Sequence, residues 1–255
     1  MALIFLRSLV FNVLFYLVLV LLLALAIPTL LLPRGAVMTL AAAWAHISLF
    51  LMRVICNIRV EFRGVEKIPQ GPLIVASKHQ SFWETFVLLR FFEQPLFILK
   101  RELMMIPVFG WCLKKAGMIS VERTGGPRSL IKTLKRAAAE VKRGRQLVIF
   151  PEGTRTAPGA PPNYKAGVAQ IYAESGVPCL PIALNSGLFW PRRTFMRYPG
   201  TLVVEFLDPL PPGLPRDEFM TRLRDQIETA TTRIVEAGRA EQAQLFGGAP
   251  RPAKS

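Results

Sequence analysis

From residue 8 to residue 32 the chain reads SLVFNVLFYLVLVLLLALAIPTLLL, about 25 residues without a single Asp, Glu, Lys or Arg. A helix needs roughly 20 apolar residues to cross a hydrocarbon layer, so this stretch demands lipid. It is too long, and preceded by too little positive charge, for the short apolar core of a cleaved signal peptide. Arg7 alone stands before it, and no A-x-A-like cleavage site directly follows it. A second uncharged stretch, residues 35–52, comes after the turn-forming Pro33, Arg34 and Gly35. It is only moderately apolar. One span with an interfacial amphipathic helix and a shallow helical hairpin both fit this pattern.

The charges lie elsewhere. Of the 32 basic and 17 acidic residues, only Arg7 and Arg34 fall within residues 1–52, so nearly all of the +15 net charge belongs to residues 53–255. The 51% hydrophobic content excludes intrinsic disorder. Cys56, Cys112 and Cys179 are too few for a disulfide scaffold, and with His46 and His79 they offer no metal-ligand spacing. The basic segment 132–145, without interleaved aromatic residues, and the apolar N-terminus ahead of it argue against a nucleic-acid partner. Anionic headgroups and a phosphate-bearing ligand are the partners expected for Lys132, Lys135, Arg136, Lys142, Arg143 and Arg145, and for Arg192, Arg193 and Arg197, with a solvated helix face as the equal alternative over 128–143.

After Arg53 the periodicity becomes that of an α/β domain. Strands are predicted at residues 58–62, 73–77, 96–99, 118–122, 146–150, 179–184 and 201–207, and helices at 82–92, 106–116, 128–143, 165–175 and 215–239. This alternation predicts a mixed, largely parallel sheet flanked by helices, preceded by the membrane helix or hairpin. The expected organisation is a membrane-anchoring segment, 1–52, a domain over 53–240, and a flexible tail over 241–255.

Two strand ends carry residues suited to chemistry. His79 follows the apolar run LIVAS, at the place where α/β folds gather their sites. A histidine there can take a proton from a hydroxyl near neutral pH. Glu84 fits two duties: it can orient the imidazole, or it can complete a capping box with Ser81 at the start of the next helix. The second strand end is LVIFPEGTR, in which Gly153 permits close approach to the backbone and Arg155 presents a planar fork suited to phosphate. Glu152, beside an anion site, calls for donors of its own or a structural duty.

Taken in order, the blocks HQSFWE (His79 to Glu84), GMISVERT (ending at Arg123 and Thr124), FPEGTR (Phe150 to Arg155) and VPCLP (Val177 to Pro181) resemble those of the glycerolipid acyltransferases, specifically 1-acyl-sn-glycerol-3-phosphate acyltransferases. Lys100 in ILKREL and the YKAG segment at Tyr164 also resemble family positions. The family's usual Asp is Glu84 here, one methylene longer. The resemblance implies direct acyl transfer with His79 as base and Glu84 as its partner. It implies an acceptor phosphate held by Lys100, Arg123 and Arg155, and an acceptor site shaped by Glu152, Gly153 and Thr154. No metal and no cofactor are expected besides the thioester co-substrate, acyl-CoA or acyl carrier protein. The implied acceptor is lysophosphatidic acid, the product phosphatidic acid, and the location a membrane with the domain on its cytoplasmic side. A lyso-ornithine lipid or another lysophospholipid is the alternative acceptor. A hydrolase using Ser81 or Cys112 would need an acyl-enzyme, for which no G-x-S-x-G elbow is present, and a non-catalytic anchored lipid-binding protein is the remaining alternative.

Overall fold

The computed structural model describes residues 1–122 and 126–247. Its centre is a seven-stranded sheet of β1 (Ile58–Arg63), β2 (Leu73–Ser77), β3 (Pro95–Lys100), β4 (Ile119–Val121), β5 (Gln146–Ile149), β6 (Cys179–Leu184) and β7 (Gly200–Phe206). The spatial order is β1-β7-β6-β2-β5-β3-β4, and every neighbouring pair is parallel except β6 with β7. All seven predicted strand positions are occupied. The inner strands LIVAS and CLPIAL are buried along their whole length, as strands covered on both faces must be, whereas edge strand β1 alternates buried and open positions.

Successive residues of one strand feed two different cores. Leu73 and Val75 face a cluster with Phe11, Phe15, Trp44, Met52, Trp83 and Phe86, while Ile74 and Ala76 face one with Leu134, Val141, Tyr172 and Phe219. The first cluster is covered by α1 (Ala2–Thr29), α2 (Arg34–Cys56), α3 (Glu84–Val87) and α4 (Phe109–Lys115). The second lies under α5 (Gly126–Lys142), α6 (Gly167–Ser175) and α8 (Arg216–Phe246), and α7 (Ser186–Phe189) is a single turn after β6.

The apolar N-terminus is a helical hairpin laid against the domain. Its second helix continues past residue 52 to Cys56 and enters β1 through Asn57, whose left-handed backbone caps it. The hairpin is held at both extremities. Near the start, buried Arg197 donates to the Asn12 side chain (3.0 Å), and its backbone N–H donates to the Ser8 hydroxyl (2.8 Å). Its guanidinium also lies 4.2 Å from the centre of the Trp190 ring. At the turn, Lys115 donates to the carbonyl of Leu30 and Arg34 to that of Pro95. Val13, Tyr16, Val20, Leu21 and Leu25 point outward and remain exposed.

Several elements depart from the sequence expectation. The helix expected over 82–92 is broken into α3 and a 3-10 turn, Leu88–Phe91. The one expected from 106 begins only at Phe109, because Pro107 and the positive φ of Val108 reset the backbone. Helix α8 runs through residues 241–246, where a flexible tail is expected, and ends at the left-handed Gly247. Arg145 and Arg197, counted among the headgroup-attracting charges, are internal: Arg145 donates to the carbonyls of Gly117, Pro95 and Ala116.

Candidate active site

Strands β2 and β5 lie side by side in parallel register, so the chain leaves both at the same edge of the sheet. That register brings His79 and the FPEGTR turn together. The His79 ring stacks on Phe150 with centroids 3.9 Å apart and planes 16° from parallel, which fixes its tilt. Nδ1 lies 2.9 Å from Glu84 Oε1. A carboxylate accepts and does not donate, so Nδ1 carries the proton and Nε2 is left as the basic nitrogen.

Glu84 takes up the first of the duties that its spacing leaves open and half of the second. Oε1 accepts from the backbone N–H groups of Gln80 and Ser81, each at 2.7 Å, as well as from His79, and Oε2 accepts from the Ser186 hydroxyl at 2.9 Å. The side chain is wholly buried. Four donors on a carboxylate shut off from water are what such burial requires. The capping box itself is incomplete, since the Ser81 hydroxyl accepts from the N–H of Trp83 rather than that of Glu84. Ser186, 102 residues further along, carries no sequence signal. Its neighbour Gly187 donates to the Gln80 side chain at 3.0 Å, and a Cβ there would meet Pro158 at 2.8 Å, so only glycine permits the contact.

On the second turn, the Gly153 N–H donates to the carbonyl of Phe150 at 2.9 Å. Its φ of +66° is what calls for glycine, because a Cβ would meet Lys165 only at 3.9 Å. Thr154 is exposed and Arg155 half-buried. Burial, and then the proximity of Arg192, hold the Arg155 guanidinium below its ordinary pKa. A cation in that position is stabilised by an incoming anion. Arg192 donates to the Arg155 carbonyl at 3.0 Å, so its place is the rim of this site as well as the outer surface. Lys100 projects from the end of β3 and Lys165 from the loop before α6. Arg123 lies outside the described residues.

Glu152 is turned inward. It is 2% exposed, with Oε1 2.9 Å from the Lys78 ammonium and both oxygens 3.0 Å from the Thr156 hydroxyl. Lys78 also reaches Glu228 of α8 at 2.7 Å, and Glu228 accepts from the Tyr164 hydroxyl at 2.9 Å. Sequence reading misses Lys78 and Glu228. A lysine directly after the buried strand LIVAS is the available signal for the first.

His79 and the 150–155 turn border a cavity of about 1140 Å³. His79, Lys100, the 150–155 turn, Lys165 and Arg192 form its polar side, and Leu22, Ala26, Met38, Trp44, Phe86 and Leu113 are part of its apolar side. The volume exceeds the roughly 300–1,000 Å³ of sites for small drug-like ligands. Ser81 is not among the lining residues, while the Cys112 thiol, which is, is raised above its ordinary pKa by burial. A smaller cavity of about 520 Å³, lined by Arg101, Lys114 and Arg136 among others, contains none of the strand-end residues.

A family model described as Acyltransferase matches residues 59–185. A 1-acyl-sn-glycerol-3-phosphate acyltransferase of Pseudomonas aeruginosa is 42% identical over 162 residues, covering 63% of this chain and 63% of that protein. The chloroplastic BAT2 enzyme of Brassica napus, of the same name, is 35% identical over 57% of this chain and 41% of its own. A lyso-ornithine lipid O-acyltransferase of Pseudomonas aeruginosa is 31% identical over 53% of this chain and 52% of its own. The matched region thus spans less than two thirds of each of these relatives. The crystal structure of the 1-acyl-sn-glycerophosphate acyltransferase PlsC from Thermotoga maritima superimposes with a TM-score of 0.72 over 90% of this chain and 97% of that one, at 20% identity, and shows the same fold.

Proposed function

Because this chain belongs to the acyltransferase family, we propose that it transfers an acyl chain from a thioester to the sn-2 hydroxyl of 1-acyl-sn-glycerol 3-phosphate, giving phosphatidic acid. The observation that carries the reading is His79: its Nδ1 is committed to Glu84, and it lines a cavity that is apolar on one side and cationic on the other. Nε2 takes the proton of the acceptor hydroxyl as the oxygen attacks the thioester carbonyl. Glu84 stabilises the imidazolium thus formed. The tetrahedral adduct collapses with loss of the C–S bond, and the thiol leaves with the proton held by His79. No covalent enzyme intermediate is involved. Arg155 and Lys100, with Arg192 beside them, bind the acceptor's phosphate, and the apolar side takes the acyl chains. The donor is acyl-CoA or acyl carrier protein, drawn by the basic surplus.

The two apolar helices fit a membrane association, and the way they are held favours a monotopic one. Both the start of α1 and the turn after it are bonded to the domain, which supports a hairpin lying along the domain with its outer face in one leaflet. A lyso-ornithine lipid acceptor is the second reading, favoured by the relative of that name. The test is purified enzyme offered lysophosphatidate, lyso-ornithine lipid and other lysophospholipids, with acyl-CoA and with acyl carrier protein thioester. His79→Ala is expected to lose on the order of 10⁴-fold in rate, the upper range for a general base, while staying bound to membranes. Substantial turnover by this variant defeats the mechanism.

A further inference from the structure

The ammonium of Lys78 lies immediately before the base in sequence, is 3% exposed, and touches no part of the His79–Glu84 pair by hydrogen bond or ion pair among the described residues. Its partners belong to two other elements. Glu152 sits in the FPEGTR turn and Glu228 on α8, 150 residues away. From Glu152 the connection returns to the base: both carboxylate oxygens take the Thr156 hydroxyl, and the Thr156 backbone N–H donates to the His79 carbonyl at 2.8 Å. The result is a closed loop of contacts, Lys78 to Glu152 to Thr156 to His79, that includes the turn bearing Gly153 and Arg155. Outside it, Tyr164 donates to Glu228, and burial together with Glu228 raises the phenol's pKa, which keeps it a donor. A buried cation shared by two carboxylates stabilises less than its contacts imply, because desolvation offsets much of the attraction. What it does supply is a fixed geometry.

We propose that Lys78 is a positioning residue: held between Glu152 and Glu228, it locks the 151–156 turn against His79 and so sets the separation between the base and the site of the acceptor's phosphate. The role rests on the acyl-transfer reading above. Neither substrate touches Lys78; it acts through Glu152 and Thr156 on the turn that carries Arg155. Displacing a binding group by about 1 Å can cost 10²-fold in rate.

The experiment compares the parent enzyme with Lys78→Met/Glu152→Gln, which removes the cation without stranding a buried charge at Glu152, and with Glu228→Ala, which removes the outer anchor at a partly open position. Steady-state constants are measured separately for lysophosphatidate and for acyl-CoA, alongside thermal unfolding. The double variant is expected to lose about 10²-fold in kcat/KM for lysophosphatidate, chiefly through KM, with the KM for acyl-CoA within about twofold of the parent's. Glu228→Ala is expected to raise the acceptor KM about fivefold, the equivalent of one ordinary hydrogen bond. Parental acceptor constants in both variants overturn the proposal, as does a loss shared equally by donor and acceptor, which would mark a general softening of the fold. If the double variant does not fold, Glu228→Ala decides alone. A parent enzyme that transfers no acyl chain to any lyso-lipid defeats the acyl-transfer reading instead, so the two failures are told apart.

Discussion

Two buried carboxylates flank the same strand ends, and they are neutralised in opposite ways. Glu84 is surrounded by backbone N–H groups, a hydroxyl and an imidazole, so among the described residues its one ionisable hydrogen-bond partner is His79. Glu152 faces the ammonium of Lys78, which takes no part in the proton transfer. The first arrangement gains strength when the imidazole takes a proton, which suits a transient step. The second is equally strong before and after reaction, which suits a frame. Burial and sequence motif do not separate the two glutamates; the identity of the donors does.

Changing each donor set tests this contrast. Of the substitutions at and around Glu84 and Arg155, Glu84→Gln is expected to have the largest effect, about 10³-fold in kcat and within the range of a general-base contribution, with little change in the KM of either substrate. The amide still accepts one of the N–H bonds but no longer favours the imidazolium. A rate within tenfold of the parent's would erase the distinction between the two carboxylates. Arg155→Ala should raise the KM for lysophosphatidate by about 10–100-fold, as expected for losing a hydrogen bond to a charged group, and an unchanged acceptor KM would remove Arg155 from the phosphate site. Ser186→Ala takes one neutral donor from Glu84 Oε2, and a loss of about fivefold in kcat is expected. A larger loss there than at Glu84 would mean that the hydroxyl touches substrate itself.

The sheet is legible in the sequence because its inner strands are continuous apolar runs bounded by turn residues, and burial on both faces leaves a strand like LIVAS no other composition. His79, Arg155 and the turn around Gly153 are legible for a related reason, since each stands where an apolar strand gives way to polar residues. The duty of Glu152 is not. Spacing within one segment carries no information about Lys78 meeting Glu228 or Ser186 meeting Glu84, contacts made only when separate strands are laid side by side. Charge counting fails in the same way at Arg145 and Arg197, whose carbonyl and side-chain partners come from distant elements. Helix 82–92 fails locally, its apolar spacing being satisfied by a short α turn followed by a 3-10 turn.

The hairpin that looks like a detachable anchor is also masonry. Phe11 and Phe15 from α1 and Met52 from α2 are as deeply buried as any residue of the sheet, and truncating one such phenylalanine typically removes about 3–5 kcal/mol. Leu22, Ala26, Met38 and Trp44 of the same hairpin close the apolar side of the cavity. A chain shortened to begin at β1, as one would design it for solubility, therefore does not yield a water-soluble version of the same catalyst. It exposes the underside of the core and leaves the cavity without one wall, so the outward apolar face and the lining of the cavity are two sides of the same pair of helices.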